Sequence, residues 1–310
     1  MVSALQTAKA RLRRSAKAAT NAVIGWLAVA FMRGLRKLNV HSTSDRLGRL
    51  MRRIGPWLPE HRTGRANLAA AFPEKSPDEI ETILGGVWEN LGRVAGEFAN
   101  IDQLMQLDLT DLENSNIESE PATLERFLKL RDDGKGALIF AAHLGNWELP
   151  ALIPPAQGMR SAVLFRPPNV PAVRRAVEET RAANMGTLIA TTADAPMRIA
   201  RELSNGVHVG MLVDQYFGRG VDVTFFGRMT KANPMLARLA RQVNVPIHGL
   251  RVVRKSQHRF WIELTEEITP VRDASGDIDI QQTMQVITSV IEDWIRQYPD
   301  QWLWLHRRWR

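Results

Sequence analysis

"GALIFAAHLGNWELP", residues 136–150, runs from an apolar block into a histidine, a glycine, an asparagine and a glutamate. The block "GALIFAA" is short and apolar on both faces, the mark of a strand buried in a parallel sheet. His143 then stands at the C-terminal end of that strand, the edge where open α/β sheets bind ligands. A helix is expected to start near Asn146, a good N-cap residue. Two residues five apart in one continuous helix point about 140° away from each other. A His143–Glu148 contact therefore requires His143 in the turn before the helix and Glu148 in the first helical turn, with Gly145 easing the turn. A carboxylate on one imidazole nitrogen would leave the other free as a base. The helix N-terminus would offer backbone N–H groups to a developing oxyanion. The spacing alone admits a catalytic pair and a plain polar strand-to-helix turn equally.

Outward from this stretch the pattern alternates. Further strand-like runs are "SAVLF" (161–165), "GTLIA" (186–190), "VHVGMLV" (207–213), "VTFF" (223–226), "VPIHGLRVV" (245–253) and "RFWIEL" (259–264). Helical stretches are expected near 121–132, 147–154, 170–184, 194–204, 232–243 and 279–297. Such alternation predicts an α/β fold with a central, mostly parallel sheet flanked by helices. Upstream, Ser76 and Glu79 form a capping-box pattern at the head of a long helix. Two more strand ends carry chemistry: Arg166 in "LFRPPN" and Asp214 in "GMLVDQ". His143, Glu148, Arg166 and Asp214 thus converge on one sheet edge and mark a candidate site.

Several function classes are excluded or left without support. The 310 residues contain no cysteine, so there is no thiol nucleophile, no disulfide framework and no thioester on the enzyme itself. There is no Walker-type phosphate loop, dinucleotide fingerprint, G-x-S-x-G elbow or H-E-x-x-H motif. The seven histidines show no metal-ligand spacing. The net charge of +8 is unevenly placed. Residues 1–65 hold 14 Lys and Arg against Asp45 and Glu60, whereas the rest holds 27 basic and 31 acidic residues. The basic segment encloses "AATNAVIGWLAVAFM" (18–32), with Arg11, Arg13, Arg14 and Lys17 before it and Arg33, Arg36 and Lys37 after it. As a helix this block spans roughly 22 Å, short of the ~30 Å hydrocarbon core. The reading is a helix in the membrane interface with its cations on anionic headgroups, a short spanning anchor or a buried helix being the alternatives. A cleaved signal peptide and a nucleic-acid arm fit less well, since neither explains an apolar block with basic residues on both sides.

Taken in order, "NLAAAFPEKS", "WENLGR", "HLGNWE", "LFRPPN", "GMLVDQ", "VTFFGR" and "PDQWLWLHRRW" resemble the bacterial lipid A late acyltransferases, the family of the Kdo-dependent lauroyl and myristoyl transferases. The resemblance runs from about residue 20 to the C-terminus. It implies a fold similar to the glycerol-3-phosphate acyltransferases, with a membrane anchor over 1–45 and the acyltransferase domain over 46–310. It implies acyl transfer from an acyl carrier protein thioester, with no other cofactor, to the 3-hydroxyl of a chain on a lipid A precursor. The setting implied is the cytoplasmic face of the bacterial inner membrane. On this reading His143 is the general base and Glu148 its orienter. Arg166 acts on the oxyanion or a substrate phosphate, and Asp214 holds Arg166 or another basic residue. Asn146, Arg307 and Arg308 join the substrate-binding set, with Trp302 and Trp304 as packing. The alternatives are an acyl-CoA-dependent transferase acting on another glycolipid, such as a phosphatidylinositol mannoside, a thioesterase in which water replaces the acceptor, and a peripheral binding protein without catalysis.

Overall fold

The computed structural model describes residues 2–105 and 115–310; of the side chains before Thr20, only that of Gln6 is described. The cations Arg11, Arg13, Arg14 and Lys17 therefore lie outside the described side chains. The N-terminal part is helical: α1 Val2–Leu35, α2 Val40–Ile54, α3 Glu60–Ala71, α4 Pro77–Phe98 and the single turn α5 Ile101–Leu104. The remainder runs β1 Ile117–Glu118, α6 Pro121–Asp132, β2 Leu138–Ala141, α7 Leu149–Ala156, β3 Ser161–Phe165, α8 Pro171–Asn184, β4 Thr187–Ala190 and α9 Ala195–Ser204. It continues through β5 His208–Leu212, β6 Val221–Phe225, β7 Arg228–Ala232, α10 Met235–Val243, β8 Ile247–Arg254, β9 Phe260–Leu264 and α11 Ile280–Gln297.

Seven strands form one sheet in the order β1-β9-β8-β2-β5-β3-β4, parallel except for the β8–β9 pair. The expected architecture is present, with two differences. The "VTFF" run lies outside the main sheet, in the antiparallel hairpin β6–β7. The two-residue strand β1 and the polar strand "RMTKA" (β7) carry too few apolar positions to announce themselves.

Alternation along the strands divides the core. Leu138 and Phe140 face a large cluster that includes Ile199, Leu236, Ile287 and Ile291, from α9, α10 and α11. Residues on the opposite face meet Leu149, Leu152 and Ile153 of α7, with Leu130 of α6 near the sheet's far end. This second face also carries the site.

The first helices brace the sheet edge. Ser76 accepts from Glu79 N while the Glu79 carboxylate accepts from Ser76 N, completing the expected capping box of α4. Helices α2 and α4 cross closely: a Cβ at Gly92 would lie 2.3 Å from the Leu47 carbonyl oxygen. At this crossing Glu97 is buried and accepts from Arg254 Nη1 (2.6 Å) and Nη2 (2.8 Å), Ser44 Oγ (2.6 Å) and Asn146 Nδ2 (2.7 Å). One carboxylate thus joins α2, α4, β8 and the turn after β2.

Helix α1 is one continuous 34-residue element and packs on α8, where Gly25 lies against Val170 and Ala172. Its apolar block is largely uncovered: Val23, Ile24, Trp26, Leu27 and Phe31 are exposed, Trp26 by 69%. Among the described residues no helix is long and apolar enough to cross a membrane. Helix α2 runs unbroken through positions 45 and 46.

Removing one member of a buried ion pair strands the other charge, at a cost of about 3–5 kcal/mol. Glu97→Ala is therefore expected to lower unfolding stability by about that amount in urea titration. A change below about 0.5 kcal/mol would show that the crossing does not depend on this pair.

Candidate active site

The turn from β2 to α7 is built before its chemistry is. The helix begins at Leu149, not near Asn146. Asn146 instead makes a local turn: its Oδ1 accepts from Glu148 N (3.1 Å) and its carbonyl from Leu149 N (3.2 Å). Gly145 sits at φ +56°, and a Cβ there would lie 2.2 Å from the Val252 carbonyl oxygen, so no side chain is tolerated. The C-terminal segment pairs with this turn. Gly145 N donates to the Gln301 carbonyl (3.1 Å) and Leu303 N to the His143 carbonyl (3.1 Å). Asn90 Nδ2 reaches both Gly145 O (2.9 Å) and Gln301 O (3.1 Å).

His143 lies outside the helix, as the spacing required, but its partner is not Glu148. Strands β2 and β5 are neighbours, so their C-terminal ends bring His143 beside Asp214. His143 Nδ1 donates to Asp214 Oδ1 (2.8 Å), and His143 backbone N donates to Oδ2 (2.9 Å). Trp302 Nε1 also donates to Oδ2, at 2.8 Å. Asp214 is buried and fully engaged by these three bonds, so it does not hold Arg166. Of the two expectations for Asp214, the second holds: it holds a basic residue other than Arg166, namely His143, and the orienting role expected of Glu148 is corrected. The physical reason is strand adjacency: Asp214 is 71 residues away in sequence but one strand away in space.

Glu148, at the N-cap of α7, forms a two-bond ion pair with Arg181 of α8. Arg181 Nε donates at 3.0 Å and Nη2 at 2.6 Å. The guanidinium also lies over the rings of Phe98 and Phe165, 5.7 and 5.8 Å from their centroids. Nothing in "EETRAAN" marks this arginine, which reads as one more charge on a polar helix face.

His143, Glu148, Arg166, Arg181 and Gln215 line one cavity of about 440 Å³. Arg166 is exposed at its lining, and the Gln215 amide nitrogen lies 3.4 Å from His143 Nε2. Trp147 packs against the imidazole, with ring centroids 5.4 Å apart. The remaining walls are mostly apolar, as in pockets for hydrocarbon ligands. The helix amides expected to face an oxyanion are otherwise engaged. Glu148 N and Leu149 N serve Asn146, and Pro150 has no N–H. The cations on this wall are Arg166 and Arg181.

The C-terminal arginines separate. Arg308 is buried, donates to Thr230 Oγ1 (2.9 Å) and the Lys231 carbonyl (3.1 Å), and lies 4.8 Å from the Phe225 ring centroid. Burial lowers its pKa to about 10. It fastens the β6–β7 hairpin and is not available to a substrate phosphate. Arg307 is exposed and does not line the cavity. Trp302 and Trp304 are buried and meet edge-to-face at 4.6 Å, core packing behind the site.

Electrostatics poise the pair. Burial by itself would lower the His143 pKa, but the Asp214 charge and hydrogen bond, aided by the Glu148 charge, raise it above its ordinary value. Asp214 is held well below the usual carboxylate range: burial opposes its ionisation, and the bonds and charge of His143 outweigh that. An ionised Asp214 accepts the Nδ1 proton, leaving Nε2 as the basic nitrogen.

The model of the bacterial lipid A biosynthesis acyltransferases matches residues 12–310. The chain belongs to this family. It is an O-acyltransferase. It is 22% identical over 264 residues to the lipid A biosynthesis acyltransferase 2 of Shigella flexneri, covering 83% of this chain and 81% of that one. It is 23% identical over 287 residues to the lipid A biosynthesis myristoyltransferase of Escherichia coli strain K12, covering 90% and 84% respectively.

A histidine can act as a base only as the unprotonated imidazole, so a catalytic role for His143 predicts turnover that rises with pH through its pKa. The acidic limb of kcat/KM is expected above the ordinary histidine value of about 6.5. Asp214→Asn removes the charge that raises it and is expected to move that limb to lower pH, while cutting kcat about 10²–10⁴-fold. A limb that stays in place in Asp214→Asn would separate it from His143.

Proposed function

We propose that this enzyme transfers a fatty acyl group from an acyl carrier protein thioester to the 3-hydroxyl of an acyl chain on a lipid A precursor. The observation that carries this reading is a carboxylate-oriented histidine on the wall of an apolar cavity. His143 Nε2 takes the proton of the acceptor hydroxyl as its oxygen attacks the thioester carbonyl. The carbonyl becomes an oxyanion, with Arg181 and Arg166 as the nearby cations. The C–S bond then breaks, the ester carbonyl re-forms, and the imidazolium returns its proton to the leaving thiolate. No covalent acyl-enzyme enters this sequence. Asp214 fixes the imidazole tautomer and stabilises the imidazolium. Glu148 positions Arg181.

Membrane contact falls to α1 in this reading. Its exposed Trp26, Leu27 and Phe31 insert among the acyl chains, and Arg33, Arg36 and Lys37 meet anionic headgroups at the cytoplasmic face of the inner membrane. Both substrates are anionic, and the basic N-terminal segment concentrates them near the cavity.

An assay with lipid A precursor and a panel of acyl carrier protein thioesters tests the chemistry. His143→Ala is expected to lower transfer by about 10²–10⁴-fold, whereas a methyl-blocked acceptor hydroxyl is expected to give no product. Transfer retained by His143→Ala would exclude it as the base. For the membrane contact, Trp26→Glu with Phe31→Glu is expected to release the protein from anionic vesicles in a flotation assay without changing its far-ultraviolet circular dichroism; continued flotation would move the contact elsewhere.

A further inference from the structure

Strand β5 carries a glycine at its centre. Val209, Met211 and Val213 pack into the large core cluster on one face of the sheet. The alternate positions His208, Gly210 and Leu212 fall on the other face and line the cavity. Glycine weakens a strand interior, because it loses more backbone entropy on folding and packs nothing. Neither usual local reason for it applies to Gly210. Its φ is not positive. Its surroundings are not crowded either: a Cβ there would meet only the Ala162 carbonyl oxygen, at 3.9 Å. Gly249 of β8 is the contrast, since a Cβ there would lie 2.6 Å from Phe140 Cζ and 2.8 Å from Trp294 Cη2. Packing demands a glycine at 249 and leaves room for a side chain at 210. Close approach of a ligand is the other physical reason for a strand glycine.

The register shows what such a ligand would pass. Gly210 pairs with Ile139 of β2 and Val163 of β3, and all three line the cavity. Branched side chains on either side, with none between them, leave a groove along β5. Ala141 pairs with Leu212, so His143 lies level with Asp214, four residues after Gly210. At about 3.3 Å per strand residue the groove is about 13 Å from the histidine along the sheet. The cavity continues beyond it. Leu130, Met159 and Leu264 line that part and cluster with Ala137, at the start of β2. These three side chains are apolar, and what they fit is the tail of a hydrocarbon chain.

We propose that Gly210 is a specificity-determining position for acyl-chain length. Its missing side chain holds the passage open between Ile139 and Val163. The donor's acyl chain runs from the thioester at His143, over Gly210, into the apolar end beyond. This rests on the acyl-transfer reading for the chain's orientation. A side chain at position 210 fills the groove and stops the chain at that depth, so the enzyme that carries it prefers shorter donors.

Two length series test this on the full-length enzyme. S-acyl pantetheine esters of graded chain length are titrated calorimetrically, and acyl carrier protein thioesters of the same lengths are assayed for transfer to lipid A precursor. In the wild-type enzyme, affinity is expected to rise about fourfold per added methylene until the chain fills the cavity. In Gly210→Leu the rise is expected to stop at a shorter chain, while esters too short to reach position 210 bind as before. The transfer optimum is expected to move to the same shorter chain, with kcat/KM for the best wild-type donor lower by about tenfold or more. Gly210→Ala decides the matter if the larger variant does not fold, because its Cβ clears its neighbours by 3.9 Å. It is expected to keep the wild-type melting temperature or exceed it and to lose affinity for the long esters alone. An unchanged length profile overturns the proposal. So does an equal loss at every length, which a purely structural glycine, or the acceptor's chain in the passage, would give. The two readings fail separately. Transfer whose length optimum ignores position 210 removes the groove alone. A shortened binding profile without transfer to any lipid A precursor removes the acceptor assignment alone.

Discussion

The arrangement depends on one buried carboxylate. Asp214 receives three hydrogen bonds, from the backbone and ring of His143 and from the indole of Trp302. A buried charge is tolerable only when its lone pairs are satisfied. Two of the donors belong to His143 and the third to Trp302, so the end of β2 and the C-terminal segment converge on the end of β5. The same contacts that make the charge affordable fix the imidazole tautomer. Stability and chemistry therefore share their hydrogen bonds, and neither can be altered alone.

Behind this pair stands a second ionic centre. Glu97 and Arg254 lock α4 to β8 and hold Asn146, which in turn shapes the Glu148 end of the turn. The first helices are thus part of the site's frame. Opposite this frame lies the apolar cavity, where Glu148 and Arg181 supply a charge fixed by two bonds and two aromatic rings. His143 lies where the hydrogen-bonded polar turn meets the mostly apolar cavity.

Much of this was legible in the sequence because it depends on local pattern. Apolar runs and helical spacing placed β2, β3, β5 and their helices closely, and so put His143, Arg166 and Asp214 at one sheet edge. What was not legible depends on spatial neighbours. Sequence spacing favoured Glu148 as the partner of His143, since they are five residues apart. Strand order, which a single sequence does not state, brings Asp214 closer. The same limit applies to Arg308. The resemblance put it in the substrate-binding set with Arg307, yet the hairpin folds over it and buries it against Phe225. Arg181 gave no signal at all, because a mid-helix arginine looks the same whether it meets solvent or a carboxylate.

Asp214, not Glu148, holds the Nδ1 proton of His143. Nitrogen-15 spectroscopy of histidine-labelled enzyme reads this directly, at a pH above the His143 pKa. The account predicts that neutral His143 carries its proton on Nδ1, with a strongly deshielded proton signal. That signal is predicted to vanish in Asp214→Asn and to persist in Glu148→Gln. A proton on Nε2 in the wild-type enzyme, or a signal lost in Glu148→Gln and kept in Asp214→Asn, would contradict it.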